Sequence, residues 1–302
     1  MKKVGVLTDN SCGISAEEAK ELGIKLVYIP FIIENEEFSE DKNLTREIFF
    51  NKLDTASSLS TSQPSIEVIK SLWDEALKEY DEIVYLPLSS GLSSTCESCK
   101  NASLEYNGRV EVVNNKRVSV TLKLSVYEAI ELAKRGKSAF EIRQTLESEG
   151  VNSSIYIMVP TLKYLKKGGR ITAAAAAIGQ ILSIKPILQI QGDKLDSYAK
   201  TLTIKQAKSK MIGAIKKDLD TRFCRPPKNK QVVISLAHSC SDLQELESFK
   251  KEVQAEFPNY PILFADHLPL CICCHIGQGS LAITCTLVEN EVVEQLKQKL
   301  IK

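Results

Sequence analysis

Short β-branched runs alternate with helical patterns from the first residues of the chain, and that rhythm leaves few folds open. "KVGVLTD" (3–9) reads as a strand. Ser15, spaced three residues before Glu18 as in a capping box, then opens a helix. "KLVYIPFII" (25–33) reads as a second strand, "EIVYLPL" (82–88) as a third and "RVEVVN" (109–114) as a fourth, with helical runs such as "VYEAIELAKR" (126–135) between them. Strands joined by helices run parallel, and a parallel sheet needs both faces covered. The N-terminal part is therefore expected to be α/β, a mostly parallel sheet sandwiched by helices.

The grammar changes after Gly150. "SSIYIMVP", "KPILQIQGDKLDSYAK", "QVVISLAH", "PILFAD" and "SLAITCTLV" read as strands, and Gly192-Asp193 inside the second marks a tight hairpin turn. Mixed with the helices "IKQAKSKMIGAIKKDL" and "DLQELESFKKEVQAEF", they describe an α+β domain. The division is 1–150 and 151–302, with the segment around 55–80 free to cross between the two.

At 302 residues, with 43% hydrophobic and 25% charged residues, the chain can bury a substantial core. Its 39 basic and 38 acidic residues give a net charge of +1, which removes the electrostatic case for a nucleic-acid partner. The N-terminus lacks the apolar region of a secretory signal, and the longest apolar stretch, Ile171 to Leu182, is about half of a membrane span. A cytoplasmic protein without an integral membrane segment is the expectation. Of the nine cysteines, an odd number, most read as buried thiols in a reducing compartment.

Four stretches carry chemistry. "STSQPS" (60–65) crowds hydroxyls and free N–H groups ahead of a helix, with Pro64 near its first turn. "SSGLSST" (89–95) follows a strand directly, which is where open α/β sheets bind ligands, and its hydroxyls suit an anion with several lone pairs. It lacks the glycine and lysine pattern of a nucleotide-binding P-loop. "LKYLKKGGRI" (162–171) gathers Lys163, Lys166, Lys167 and Arg170 into a basic patch beside the alanine-rich run, which makes it either a solvated face or a docking surface. In "CICCHIGQGS" (271–280), Gly277-x-Gly279 precedes a strand, so it is no dinucleotide fingerprint, yet it lets backbone approach a ligand closely.

Two other chemistries remain open at this level. Cys271/Cys274 and Cys96/Cys99 are both C-x-x-C pairs, compatible with zinc or a redox couple, although the pairs lie far apart in sequence and packing is the simpler role. "GLSST" approaches the hydrolase elbow, and Ser93 as nucleophile, His275 as base and Asp266 as orienter follow a permitted chain order. A serine hydrolase acting on lipid esters is thus the alternative function.

Taken in order, "GVLTDNSCGIS", "STSQPS", "LSSGLSSTCESCKNA", "PTLKYLKKGGRI" with "SIKPIL", and "HIGQGSLAI" resemble the DegV family of bacterial fatty-acid-binding proteins over nearly the whole chain. The resemblance implies a non-catalytic, two-domain protein with no metal and no cofactor. One long-chain fatty acid would lie in an apolar tunnel at and beyond the domain junction. The acid would be presented to a separate fatty acid kinase subunit that makes acyl-phosphate for phospholipid synthesis. By the same likeness Thr61, Ser62, Ser93 and Ser94 would hold the carboxylate and His275 would close the head-group site. Arg170, Lys166, Lys167, Gly277 and Gly279 would be supporting or partner-facing. Cys96 stands where the family commonly has Tyr, Ser94 where Gly is usual and Gln278 where Pro is common.

Overall fold

The computed structural model describes residues 2–172, 184–191 and 195–300. The chain forms two compact units, one of Met1–Val151 with Pro269–Cys274 and the other of Asn152–Leu268 with His275–Lys302. Residues 55–80 belong to the first unit, and the stretch that returns to it from elsewhere in the chain is Pro269–Cys274.

In the first unit, strands β1 (Val4–Asp9), β2 (Lys25–Val27), β6 (Glu82–Leu86) and β7 (Val110–Val112) form an all-parallel sheet in the order β2-β1-β6-β7. Its strands bury alternate residues on opposite faces, the period-2 consequence of the pleat. Val4, Val6, Val84 and Leu86 meet helices α1 (Ala16–Leu22), α5 (Val120–Lys134) and α6 (Ala139–Ser148). Leu7, Ile83, Tyr85 and Val112 meet α3 (Ile66–Ala76) and α4 (Thr95–Ser103). Helix α3 contributes Ile69, Trp73 and Ala76, one stripe at helical spacing, and the Trp73 ring stands edge-on to Tyr85 at 5.9 Å. The expected parallel sheet, sandwiched by helices, is present.

"KLVYIPFII" is not one strand. It divides into β2 and β3 (Phe31–Ile33), which belong to different sheets. Pro30 has no N–H for a continuing ladder, and Asn10 Oδ1 accepts the Ile29 N–H at 3.0 Å, which takes the chain out of the first sheet. Strand β3 then pairs antiparallel with β4 (Glu36–Phe38) and β5 (Leu59–Thr61). Helix α2 (Arg46–Thr55) lies between β4 and β5 in the chain.

In the second unit the strand order is β10-β9-β8-β13-β11-β12: Asp196–Thr201, Lys185–Ile190, Ser153–Met158, Leu281–Glu289, Lys230–His238 and Ile262–His267. Among the strands of this sheet only β11 and β12 pair in parallel; the other strand pairs are antiparallel. Helices α8 (Ile204–Thr221) and α9 (Leu243–Glu256) pack Met211, Ile215, Phe249 and Val253 with Ile234, Leu236 and Ile283 of the sheet. This is the mixed α+β arrangement expected after Gly150. The Gly192-Asp193 turn and residues 173–182 of the apolar run lie outside the described residues. The remaining helices are α7 (Lys163–Gly168), α10 (Leu270–Ile276) and α11 (Asn290–Leu300). Among the described residues no helix is long and apolar enough to cross a membrane.

Candidate functional site

The order β2-β1-β6-β7 places successive crossovers on opposite sides of the β1/β6 pair, so the strand order reverses there. Ligands of open α/β sheets sit outside the carboxyl ends of the strands at such a point. Asp9 ends β1, and "SSGLSST" follows β6. The Asp9 carboxylate joins the two ends by accepting the Leu88 N–H at 2.8 Å, the Ser11 N–H at 3.0 Å and the Ser11 hydroxyl.

Burial pushes the Asp9 carboxyl up from 3.8 to about 6, even though these donors favour its ionised form. A raised carboxyl binds its proton more tightly in the folded state. Its contribution to stability is therefore full below the unfolded value and is lost as pH rises through the folded one. Relative to Asp9→Asn, the wild-type protein should lose roughly 3 kcal/mol of unfolding free energy as pH rises from below 3.8 to above 6. Denaturant titrations of both proteins at pH 3.5 and 7 test this, and parallel stabilities across that range would refute it.

The loop after β6 is tightly tied. Ser89 N–H donates to Arg117 O at 3.2 Å, Ser89 O accepts the Leu92 and Ser93 N–H groups, and Asn114 Nδ2 donates to Ser90 Oγ at 2.8 Å. Ser93 Oγ accepts the Thr95 N–H at 3.2 Å and lies 2.9 Å from Thr95 Oγ1, so it sits at the opening of α4. Ser94 is the N-cap residue of α4 without capping it through its side chain. Its hydroxyl donates instead to Gln63 Oε1 at 3.0 Å. That bond joins "SSGLSST" to "STSQPS", two clusters 31 residues apart in sequence.

"STSQPS" is only partly the helix cap it resembles. Thr61 ends β5 opposite Phe31, and Ser62 N–H donates to Pro30 O at 2.9 Å. The helix cap is Ser65 alone, which accepts the Val68 N–H at 3.3 Å. Thr61 and Ser62 are half-buried beside the Gln63–Ser94 bond.

In the second unit, Gly277 and Gly279 have φ of +77° and +89°, values that favour glycine. Ser239 knits the turn around them: its hydroxyl donates to Gly277 O at 2.7 Å and accepts the Ser280 N–H at 2.9 Å, while its carbonyl accepts the Gly279 N–H. A Cβ on Gly277 would come 2.7 Å from the Tyr164 ring, and one on Gly168 would come 2.5 Å from His275 Nδ1. These glycines let "LKYLKKGGRI" and "HIGQGS" pack together. His275 is half-buried; desolvation, with the Arg170 charge adding to it, pushes the imidazole down to about 4, so it is neutral at pH 7. Lys163, Lys166 and Lys167 are exposed, whereas Arg170 is half-buried.

The cysteines of "CICC" are helical and buried. Burial pushes the Cys273 thiol up to about 12 and the Cys271 thiol well above its ordinary value, which disfavours the reactive thiolate in both. Cys96 and Cys99 pack in the core with Trp73 and Tyr85. Among the described residues no group of three or more His, Cys, Asp or Glu is placed to hold a metal ion. The hydrolase reading finds no support either. The Ser93 hydroxyl is shared with Thr95, and an imidazole held at about 4 is a weak base at neutral pH.

Sequence reasoning missed Asp9, Gln63, Asn114 and Ser239. Asp9 carried a signal, a carboxylate at the end of the first strand. Gln63 was hidden among hydroxyls, and Ser239 had no local mark because its partners are about 40 residues away.

The profile of a family described as "Uncharacterised protein, DegV family" matches residues 3–287. A DegV domain-containing protein of Clostridium perfringens is 31% identical over 291 residues, 94% of this chain and 97% of that one. One from Staphylococcus aureus is 28% identical over 94% of this chain and 98% of its own. Among solved structures, a fatty-acid-binding DegV family protein from Thermus thermophilus superposes with a TM-score of 0.83 at 26% identity, covering 95% of this chain and 99% of its own. DegV of Bacillus subtilis, a fatty-acid-binding protein, gives 0.80 at 26% identity over 95% and 100%. Matched along almost its whole length, the chain belongs to the DegV family.

Proposed function

We propose that this chain binds one long-chain fatty acid, with its carboxylate on the hydroxyls of Thr61 and Ser93, flanked by Ser62 and Ser94, and its acyl chain in an apolar tunnel. The observation that carries this reading is the Ser94–Gln63 hydrogen bond, which brings both hydroxyl clusters together at the switch point of the parallel sheet. The fatty-acid-binding relatives from Thermus thermophilus and Bacillus subtilis support it. His275 enters the proposal as a neutral donor to the head group, and Gly277 and Gly279 shape the turn beside it.

The energetics divide the work. Each buried methylene contributes about 0.8 kcal/mol, so a dozen contribute roughly 10 kcal/mol before ordering costs. A hydrogen bond to a charged group nets about 1.5–3 kcal/mol. The chain sets affinity, and the hydroxyls select an acid over an alcohol or ester. Neutral donors also suit a carboxylate that must react afterwards, because a buried arginine clamp would hold it back. On this reading the protein has no catalysis of its own. It presents the acid to a separate kinase subunit for acyl-phosphate formation in phospholipid synthesis, with exposed Lys166 and Lys167 facing that partner.

Native mass spectrometry of the purified protein should show an adduct of fatty-acid mass that disappears on delipidation and returns on adding oleate or palmitate. A protein that neither carries nor takes up either acid would end the reading.

A further inference from the structure

Arg170 separates from the rest of the basic patch. Lys163, Lys166 and Lys167 are exposed, Lys163 with its ammonium over the Tyr164 ring at 5.5 Å, but Arg170 is half-buried and turns back on its own helix, donating through Nη1 to the Gly168 carbonyl. Gly168 is the residue against which the His275 ring rests, with Nδ1 and Cε1 closest to where a Cβ would stand. The next turn of contact is Tyr164 against Gly277, two residues beyond His275. A cation at the end of a helix also completes carbonyls that have no partner inside it.

We propose that Arg170 is a positioning residue for His275: its bond to the Gly168 carbonyl fixes the end of α7 against the Nδ1 edge of the imidazole and holds a fixed positive charge beside the ring. Two effects follow. The ring is kept with its Nδ1 edge against glycine. The nearby guanidinium also opposes protonation, in the same direction as burial. A neutral imidazole orients a carboxylate with one N–H and adds no second charge. The head-group role of His275 rests on the fatty-acid reading above, whereas the link from Arg170 to His275 does not.

The ligand-free full chain tests the link. The three histidines (His238, His267 and His275) can be followed by NMR titration, with His275→Gln identifying the resonance. In Arg170→Gln the His275 midpoint should move up toward the ordinary imidazole range, and Arg170→Lys, which keeps the charge, should restore part of the wild-type value. Gly168→Ala should shift the His275 ring resonances because the new methyl cannot coexist with Nδ1 in place. Amide spectra report whether each variant is folded. A His275 titration identical in wild type and folded Arg170→Gln would overturn the proposal, as would unmoved ring resonances in folded Gly168→Ala. Fatty-acid uptake by the same samples is scored separately, so loss of the lipid reading and loss of this one are distinguishable.

Discussion

Replacing Arg117 with methionine is expected to destabilise the first unit by about 3–5 kcal/mol, the range for breaking a buried ion pair from one side. Arg117 is 2% exposed, and its guanidinium donates to Ser125 Oγ at 2.9 Å, Glu149 O at 2.9 Å and Glu128 Oε2 at 3.4 Å. Glu128 is itself 3% exposed, so the single variant strands a carboxylate in the core of the unit. Removing both charges, as in Arg117→Met with Glu128→Leu, should recover most of the loss, because two buried charges replaced by apolar side chains cost little. Trp73 is the sole tryptophan and lies in the core of that unit, so its fluorescence in urea follows the relevant transition. A single variant within about 1 kcal/mol of wild type would contradict the argument. The consequence reaches the proposed site, because the Arg117 carbonyl holds Ser89 and with it the loop that carries Ser93.

Removing the two hydroxyls should have the largest effect on binding. Thr61→Val keeps shape and suits the strand position in β5, while Ser93→Ala removes the acceptor of the Thr95 N–H along with the proposed ligand contact. At about 1.5–3 kcal/mol per bond to a charged group, each change should weaken fatty-acid binding roughly 10- to 150-fold. The double variant should fall further, and affinity for the fatty alcohol of equal length should change far less. Competition titration against a fluorescent fatty acid measures both. Unchanged acid affinity in both single variants would remove these residues from the site, and equal losses for acid and alcohol would assign them to the fold.

The α/β rhythm, the parallel sheet and the mixed second unit were all legible in the chain, because side-chain periodicity reports directly which face of a strand or helix is buried. The local grammar misled where a single residue outweighed it. Pro30 splits an apolar run into strands of two different sheets, since a missing N–H cannot be seen in a hydropathy pattern. The two hydroxyl clusters were legible as clusters, and "HIGQGS" as a turn that needed glycine.

Their meeting was not. Gln63 reaches Ser94 because α3 and α4, whose starts they precede, pack together on one face of the parallel sheet, which is a property of the tertiary fold. Asp9 became a hub because β1 and β6 lie side by side. The charge states of Asp9 and His275, and the separation of Arg170 from its neighbouring lysines, come from burial and from partners outside the local stretch. Sequence by itself determined which faces must be covered, because hydrophobic spacing acts over a few residues. Tertiary structure alone decided which polar groups share a site, because that depends on contacts whose members the chain keeps far apart.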